Sequence, residues 1–325
     1  MTDPLQACKG VLMSAMGLNP GESVLVVTDT EKEAIGRTLA RAAAELGADA
    51  VMMVMAPRQV NGEEPPEPVA AAMAASQVVL CPTSKSLTHT QARVNAACAG
   101  ARIATMPGIT EEMLCTGAMT ADYRLVAEVT LKVKQLLDRA NHARIEYKGR
   151  SLSLSLEGRT AVASTGRFLK PGESGNLPSG EAYIAPVEGT AEGLIYADGS
   201  VAGLGKLAVP LQVRVSQGVA VEFADAPSGD AGLGQGFAAQ LEKLLSTFEA
   251  RNVAELGIGT NHKARLTGIV LEDEKIFGTV HIAFGDNSTF GGRVRAGVHI
   301  DLVMLRPDLY LDDMLVLHDG RFVAL

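Results

Sequence analysis

The spacing of apolar residues changes near residue 142, which predicts a chain built from two different halves. In the first half, short continuous apolar runs alternate with helical patterns. The runs are Ser23–Thr28, Ala50–Met55, Gln77–Cys81 and Arg102–Met106. Apolar strands that alternate with helices are typical of a parallel sheet covered on both faces. We therefore predict an α/β domain with a parallel sheet over residues 1–142.

The second half follows the period of antiparallel strands. Ser151–Leu156 reads SLSLSL, an alternation that is typical of a strand with one buried face. Further strand patterns occur at Leu207–Ser216, Gly278–Phe284 and Val298–Leu305, and one amphipathic helix lies among them. Residues 143–325 are thus predicted to form an α+β domain rich in antiparallel strands. The predicted fold class of the whole chain is α/β plus α+β.

The composition predicts a globular protein and argues against nucleic-acid and membrane partners. Of the 325 residues, 47% are hydrophobic, which predicts a globular protein with a sizeable core rather than a disordered chain. A net charge of −8 and only 4% aromatic residues argue against nucleic-acid binding. The sequence shows neither a signal-peptide pattern nor an apolar stretch long enough to span a bilayer. We expect a cytoplasmic protein with no nucleic-acid or membrane partner.

Motifs for nucleotides and for serine nucleophiles are absent from the sequence. The first strand pattern leads into Thr28–Glu31, where a dinucleotide fingerprint would need glycines. Glycines do cluster later in the chain, but no strand pattern directly precedes them, so we expect a flexible connection there. These glycines are Gly229, Gly232, Gly234 and Gly236. No GxSxG motif occurs, and covalent catalysis by a serine is therefore not expected.

Two histidines of the second half lie on strand patterns, and one of them is beside a carboxylate. His299 and Asp301 are two residues apart in an apolar run, so both point to one face of a strand while Ile300 points to the core. His281 likewise alternates with apolar residues that face the other way. A single strand histidine is usually structural, but two such strands favour a metal site. Two histidines and one carboxylate suit Fe(II), whereas additional glutamates favour a two-metal hydrolytic site.

Two glutamates are candidates for further ligands. Glu255 lies inside the apolar run Val253–Gly259, and a buried carboxylate needs a metal or a base as its partner. Glu181 follows a turn and opens the apolar run Ala182–Val187. Taken singly, each glutamate is equally consistent with a salt bridge at the surface.

A run of charged residues precedes the strand pattern of His281. The run Glu272–Lys275 reads EDEK, which is typical of a solvated turn. Because it leads directly into that strand, a role for Glu274 in the outer shell of a metal site stays open.

The order of these motifs resembles the C-terminal half of the M29 metal-dependent aminopeptidases, the aminopeptidase T and S type. The matching segments are NLPSGE, AELGIG, EDEK with GTVHIAFG, and HID, and they extend over residues 176–303. The resemblance implies an N-terminal α/β domain, a C-terminal metal-binding catalytic domain and a homodimer. It implies that the chain is a short, divergent hydrolase that releases N-terminal residues from small peptides.

The resemblance carries the metal ligands of this family onto five residues of the sequence. These are Glu181, Glu255, His281, His299 and Asp301. The implied cofactor is a divalent metal, namely Zn, Co or Mn, and the sequence leaves open whether one ion or two ions bind. Glu181 or Glu255 would bridge two ions or act as a proton shuttle, and the sequence does not separate these roles.

One position departs from the family pattern. The family has a tyrosine seven residues after the strand histidine, where this chain has Ser288, and only 17 residues separate His281 from His299. A related branch is therefore the main alternative, namely the Fe(II)-dependent dihydroxypyridine ring-opening dioxygenases, which use two histidines and one aspartate on a small-molecule substrate. A non-catalytic metal- or ligand-binding protein is the third possibility, and the presence of all five ligand positions argues against it.

Overall fold

The computed structural model describes residues 3–226 and 236–325, so Gly229, Gly232 and Gly234 of the glycine cluster lie outside the described residues. The helices are α1 Pro4–Ser14, α2 Glu33–Glu45, α3 Glu67–Ala75, α4 Gln91–Cys98, α5 Glu111–Cys115, α6 Tyr123–Arg139, α7 Phe237–Leu244 and α8 Val270–Asp273, with 3-10 turns at Gly117–Thr120 and Glu249–Arg251. None of the helices in this described part of the chain has the length and apolar character needed to cross a membrane.

The strands fall into one parallel sheet and two antiparallel sheets. They are β1 Ser23–Asp29, β2 Asp49–Met55, β3 Val78–Cys81, β4 Arg102–Thr105, β5 His142–Tyr147, β6 Arg150–Ser155, β7 Val162–Ser164, β8 Ser174–Asn176, β9 Glu181–Ile184, β10 Glu192–Ala197, β11 Ser200–Val201, β12 Gly205–Lys206, β13 Leu211–Ser216, β14 Val219–Asp225, β15 Val253–Gly259, β16 Val280–Gly285, β17 His299–Met304, β18 Asp308–Leu311, β19 Met314–His318 and β20 Arg321–Phe322.

One compact unit comprises Met1–Ala127 and Thr165–Ser179. Its strands pair in parallel in the order β2-β1-β3-β4-β8. Leu25 and Ile103 of this sheet share a core with Met73 of α3 and with residues of α4. The parallel sheet that the alternating apolar runs predict is therefore confirmed.

The other compact unit comprises Glu128–Ser164 and Gly180–Leu325. One antiparallel sheet has the order β14-β13-β10-β6-β5-β18-β19-β20, and the other has the order β12-β11-β17-β16-β15-β9-β7. Apolar side chains of both sheets meet in one core, among them Leu152 of β6 and Ile282 of β16. The prediction that the second half is rich in antiparallel strands is also confirmed.

Four adjacent strands of the second sheet, β17, β16, β15 and β9, show how the core positions the polar residues. Leu256, Ile282 and Leu302 point into the core. Because side chains alternate between the two faces of a strand, their polar neighbours project from the opposite face. The same burial that stabilises this unit therefore gathers polar side chains on one face of these four strands.

The charge run Glu272–Lys275 is buried, so the prediction of a solvated turn is wrong. Glu272, Asp273 and Lys275 are almost fully buried, around the end of α8. Burial is possible because these charges have fixed partners. The Asp273 carboxylate accepts hydrogen bonds from two backbone N–H groups of the preceding loop, and the Lys275 ammonium bonds to two carboxylates. Glu274 is adjacent to Lys275, but Glu181 is 94 positions away and the partners of Asp273 depend on loop geometry, so the local pattern does not reveal this burial.

Candidate metal centre

The predicted ligands lie opposite small residues in the sheet. The cross-strand pairs are His281 with Gly257, Asp301 with Ala283, His299 with Gly285, and Glu181 with Gly259. Small partners leave space above the sheet into which larger side chains can converge. The space beside His281 is the tightest, because a Cβ atom added at Gly257 would lie 1.9 Å from its Nε2 atom.

The five side chains converge around His281. Its Nε2 atom lies 3.2 Å from Glu255 Oε1 and 3.4 Å from Glu181 Oε2. His299 Nε2 lies 3.5 Å from Glu255 Oε2 and 3.4 Å from Asp301 Oδ1. The structure thus brings together all five residues to which the sequence assigned a metal, and their role as ligands stays a prediction.

Two sets of donor atoms within this cluster are compact enough to hold an ion. In each set, the three donor atoms lie within 4.8 Å of one another. One set consists of Glu255, His281 and Asp301, and the other of Glu181, Glu274 and His281. His281 belongs to both sets and is fully buried, whereas 33% of the His299 side chain is exposed. The cluster is therefore open on the side of His299.

Neighbouring charges shift the pKa values of the buried groups in this cluster. Burial alone would lower the pKa of His281, but the hydrogen bond to Glu255 and the charge of Glu181 raise it to about 9. Burial alone would raise the pKa of Glu255, but hydrogen bonds from His281 and His299 lower it to about 2. These shifts favour protonated imidazoles beside ionised carboxylates, and a divalent ion bound to the same atoms would displace the imidazole protons.

The donor atoms fit a divalent metal ion. Glu181 Oε2 is buried without a hydrogen-bond partner. A cationic neighbour, His281 Nε2, lies 3.4 Å from it. A buried oxygen without a hydrogen bond costs about 1–3 kcal/mol, and a bound cation or ligand would reduce this cost. Imidazole nitrogens together with carboxylate oxygens suit divalent transition metals. The arrangement therefore supports a divalent metal at this site, and which metal it is belongs to the proposal below.

The loop after β16 orients His299. The His299 Nδ1–H group donates to the Asp286 carbonyl oxygen at 2.8 Å, which leaves Nε2 facing the carboxylates. The Asp286 side chain in turn accepts hydrogen bonds from the backbone N–H and the hydroxyl of Ser288. Ser288, which stands where the aminopeptidases have a tyrosine, therefore stabilises a turn that positions His299.

We expect Asp286→Ala to weaken metal binding about 10- to 100-fold, because the turn that carries the acceptor of His299 loses its side-chain bonds. Calorimetric titration of the metal-free protein with Mn²⁺ measures this change. Asp308→Ala is the matched control, since Asp308 caps the exposed hairpin at His318 and Asp319 in the same way. Equal affinity in Asp286→Ala and the unaltered protein would show that the turn does not position His299.

Sequence analysis did not identify two residues of the cluster, Lys275 and Tyr183. The Lys275 ammonium lies 2.5 Å from Glu181 Oε1 and also bonds to Glu274. Tyr183 lies on the same face of β9 as Glu181, and its ring packs edge-on against Phe290, with 5.4 Å between centroids. The period of two from Glu181 could have indicated Tyr183. No local pattern indicates Lys275, because adjacent opposite charges are more common at protein surfaces.

Comparison with known proteins identifies relatives over the whole chain. The family model described as NicX, 2,5-dihydroxypyridine 5,6-dioxygenase, matches residues 4–324. A curated relative, 2,5-dihydroxypyridine 5,6-dioxygenase from Pseudomonas putida KT2440, is 26% identical over 208 residues. That alignment covers 60% of this chain and 57% of the relative, so it spans little more than half of the relative's length.

Two solved structures have the same fold. The structure of 2,5-dihydroxypyridine dioxygenase from Pseudomonas putida KT2440 has a TM-score of 0.82 at 19% identity, with 99% of this chain and 97% of that chain covered. Wild-type AmpT from Thermus thermophilus has a TM-score of 0.69 at 18% identity, with 99% of both chains covered. At these identities the likeness shows the fold alone.

These relatives correct the function predicted from the sequence. The interpretation as an aminopeptidase, and with it the classes hydrolase and protease, is wrong, because the family model that covers residues 4–324 is that of a dioxygenase. The link to the M29 fold is supported by the likeness to AmpT. The alternative interpretation, a ring-opening dioxygenase, is the one that the relatives favour.

Proposed function

The chain belongs to the 2,5-dihydroxypyridine 5,6-dioxygenase family, and we propose that it opens a dihydroxylated pyridine-type ring with one molecule of dioxygen. The observation that carries this proposal is the group of His281, His299 and Asp301 on one face of β16 and β17. Two imidazoles and one carboxylate are the ligand set of non-haem Fe(II) oxygenases. A bound Fe(II) ion would supply the redox chemistry that allows an aromatic ring to react with dioxygen.

Aromatic side chains beside His299 provide a surface for a planar substrate. The Phe290 ring lies edge-on to the His299 ring, with 5.9 Å between centroids, and edge-on to the Tyr183 ring. Both Tyr183 and Phe290 are partly exposed. Because aromatic pairs favour edge-to-face and offset packing, a flat heterocycle would gain specific contacts there. This supports entry of the ring from the open side of the cluster.

Glu181 supplies an acceptor for the polar groups of such a ring. Lys275 holds one of its carboxylate oxygens, whereas the other, Oε2, is buried and has no hydrogen-bond partner. A ring hydroxyl or ring N–H that donates to Oε2 would form a charge-assisted hydrogen bond, worth about 1.5–3 kcal/mol. Burial raises the pKa of Tyr183, with further contributions from Glu255 and Glu181, so its hydroxyl keeps the proton and can donate to a ring oxygen.

Oxygen consumption tests the proposal directly. We expect the protein loaded with Fe(II) under nitrogen to consume one dioxygen per 2,5-dihydroxypyridine, since both oxygen atoms enter the opened product. An oxygen electrode and the loss of the ring's ultraviolet absorbance measure the two sides of this ratio. The Zn-loaded protein is the control, because Zn²⁺ has no redox chemistry. Full iron occupancy without oxygen uptake on this ring would reject the proposal.

A further inference from the structure

We propose that Glu188 is a positioning residue, which together with Arg159 holds the loop between β16 and β17 (residues 286–298) and thereby fixes the Phe290 ring beside His299. The inference rests on the proposed function, because Phe290 belongs to the aromatic surface on which the ring of that function would lie. It adds a residue that contacts neither the proposed metal ligands nor the ring.

The loop needs fixed partners because its backbone is permissive. It contains three glycines, and two of them, Gly291 and Gly297, have left-handed φ angles of 105° and 69°. Glycine loses more conformational freedom on folding than any other residue, so such a loop is costly to hold in one arrangement. Polar groups outside the loop must therefore hold it if Phe290 is to keep one position.

Glu188, which follows β9, bonds both to the loop and to Arg159. Its Oε1 atom accepts from the Asn287 side-chain amide at 3.1 Å and from the Arg293 backbone N–H at 2.8 Å. Its Oε2 atom pairs with the Arg159 guanidinium. One carboxylate thus holds the loop at two positions, one on either side of Phe290.

Further bonds hold the backbone next to Phe290. The Arg159 guanidinium donates to the carbonyl oxygen of Gly291, and the Phe290 N–H donates to the Asn287 carbonyl oxygen at 3.3 Å. Asn287 is fully buried, and its amide lies against Gly292, where an added Cβ atom would lie 1.9 Å from Asn287 Cγ. The position of Phe290 is therefore set by the same group of bonds that Glu188 completes.

The charge of Glu188 strengthens these bonds. Burial alone would raise the pKa of Glu188, but backbone N–H groups, the charge of Arg159 and the bond from Asn287 lower it, so the carboxylate is ionised at neutral pH. Hydrogen bonds to an ionised acceptor are stronger than those between neutral groups. Only 11% of the Arg159 side chain and 23% of the Glu188 side chain are exposed, so solvent and salt screen this pair less than an exposed one.

Binding of the ring without turnover tests this inference. We expect the Fe(II)-loaded Glu188→Ala protein to bind 2,5-dihydroxypyridine under nitrogen about tenfold more weakly than the unaltered protein, because Phe290 loses its fixed position. Calorimetric titration measures the dissociation constant. Iron content should stay unchanged, since the side-chain bonds of Asp286 remain. Glu222→Ala is the matched control, because it removes an exposed carboxylate that also pairs with an arginine, Arg214.

A double-mutant cycle shows whether Glu188 acts through Phe290. Phe290→Ala is expected to weaken ring binding about tenfold, and Glu188→Ala/Phe290→Ala by about the same factor, since an absent ring cannot be misplaced. Under oxygen, Glu188→Ala should raise KM about tenfold and change kcat by less than about twofold. Additive effects of the two substitutions, or an unchanged dissociation constant in folded Glu188→Ala, would overturn the inference.

Cleavage by trypsin tests the loop without any ring. Arg293 and Arg295 are exposed in the loop, and proteases cleave backbone that opens locally. We expect cleavage after these two arginines to be at least about tenfold faster in Glu188→Ala than in the unaltered protein or in Glu222→Ala. Mass spectrometry of the fragments identifies the bonds that are cut. Equal rates in Glu188→Ala and the unaltered protein would show that Glu188 does not hold the loop.

If Glu188→Ala does not fold, Glu188→Gln takes its place. It keeps an oxygen that accepts from Asn287 and Arg293 and removes the charge opposite Arg159, so weaker ring binding and faster cleavage are expected to a smaller extent. No change in either quantity rejects the inference. Oxygen uptake with equal trypsin rates rejects only the inference, whereas faster cleavage of the variant without any oxygen uptake by the unaltered protein rejects only the proposed function.

Discussion

Replacing His281 with alanine, or Asp301 with asparagine, is expected to remove the metal and to lower oxygen uptake by at least about a thousandfold. Each residue contributes one of only three protein donors in the proposed Fe(II) group, and the ion supplies several kcal/mol of transition-state stabilisation. A loss of about 4 kcal/mol corresponds to a factor of roughly a thousand in rate. Iron content after desalting and the initial rate of oxygen uptake measure the two effects separately.

Two further variants make this expectation specific. His318→Ala removes an exposed histidine that bonds to Asp308 in the last hairpin, and it should change neither iron content nor rate. Glu181→Gln should keep the iron and raise the KM for the ring, because it weakens the acceptor without removing a ligand. Loss of iron in Glu181→Gln would instead place Glu181 in the ligand set and contradict the three-residue group.

The strand face on which His299 and Asp301 lie could be predicted from local periodicity, whereas the convergence of all five residues was implied only by the resemblance to the aminopeptidases. His299 and Asp301 alternate with Ile300, and the structure places the two on the face opposite the core residues Leu302 and Met304. The strands of the parallel sheet could be predicted for a similar reason, since each is a continuous apolar run. By contrast, β8 has the sequence Ser-Gly-Asn, which has no strand pattern, although it pairs in parallel with β4 at the edge of the sheet.

The reaction could not be predicted from the ligand positions. A two-metal hydrolase and a mononuclear oxygenase both use histidines and carboxylates on adjacent strands, so the five motifs favoured the wrong class. The residue of the cluster that local pattern could not place is Lys275, because it contacts Glu181 across 94 positions of sequence. Its neighbours in sequence are charged, which made a solvated turn the natural expectation. The sequence alone does not show which distant charges pair with this run, so its burial could not be predicted.

The small residues opposite the predicted ligands leave the space in which the ligand side chains lie, and Gly257 leaves the space for the His281 ring. We expect Gly257→Ala to weaken metal binding about a hundredfold and to destabilise the fold by about 1–3 kcal/mol. The new methyl group would lie 1.9 Å from His281 Nε2, whereas real Cβ contacts essentially never fall below 3.0 Å. The imidazole must therefore retreat by roughly 1 Å, and a misplacement of about that size commonly costs a factor of a hundred at a catalytic site.

Gly10→Ala is the matched control for this substitution. Gly10 lies within α1, and a Cβ atom added there meets nothing within 4 Å. That variant should be stabilised by about 0.4–1 kcal/mol, because alanine loses less backbone entropy on folding. Calorimetric metal titration and thermal unfolding of both variants separate a packing clash at the metal centre from a general effect of the added methyl group. If Gly257→Ala bound metal as tightly as Gly10→Ala, His281 could not be held against Gly257, and the cross-strand pair would have no part in forming the site.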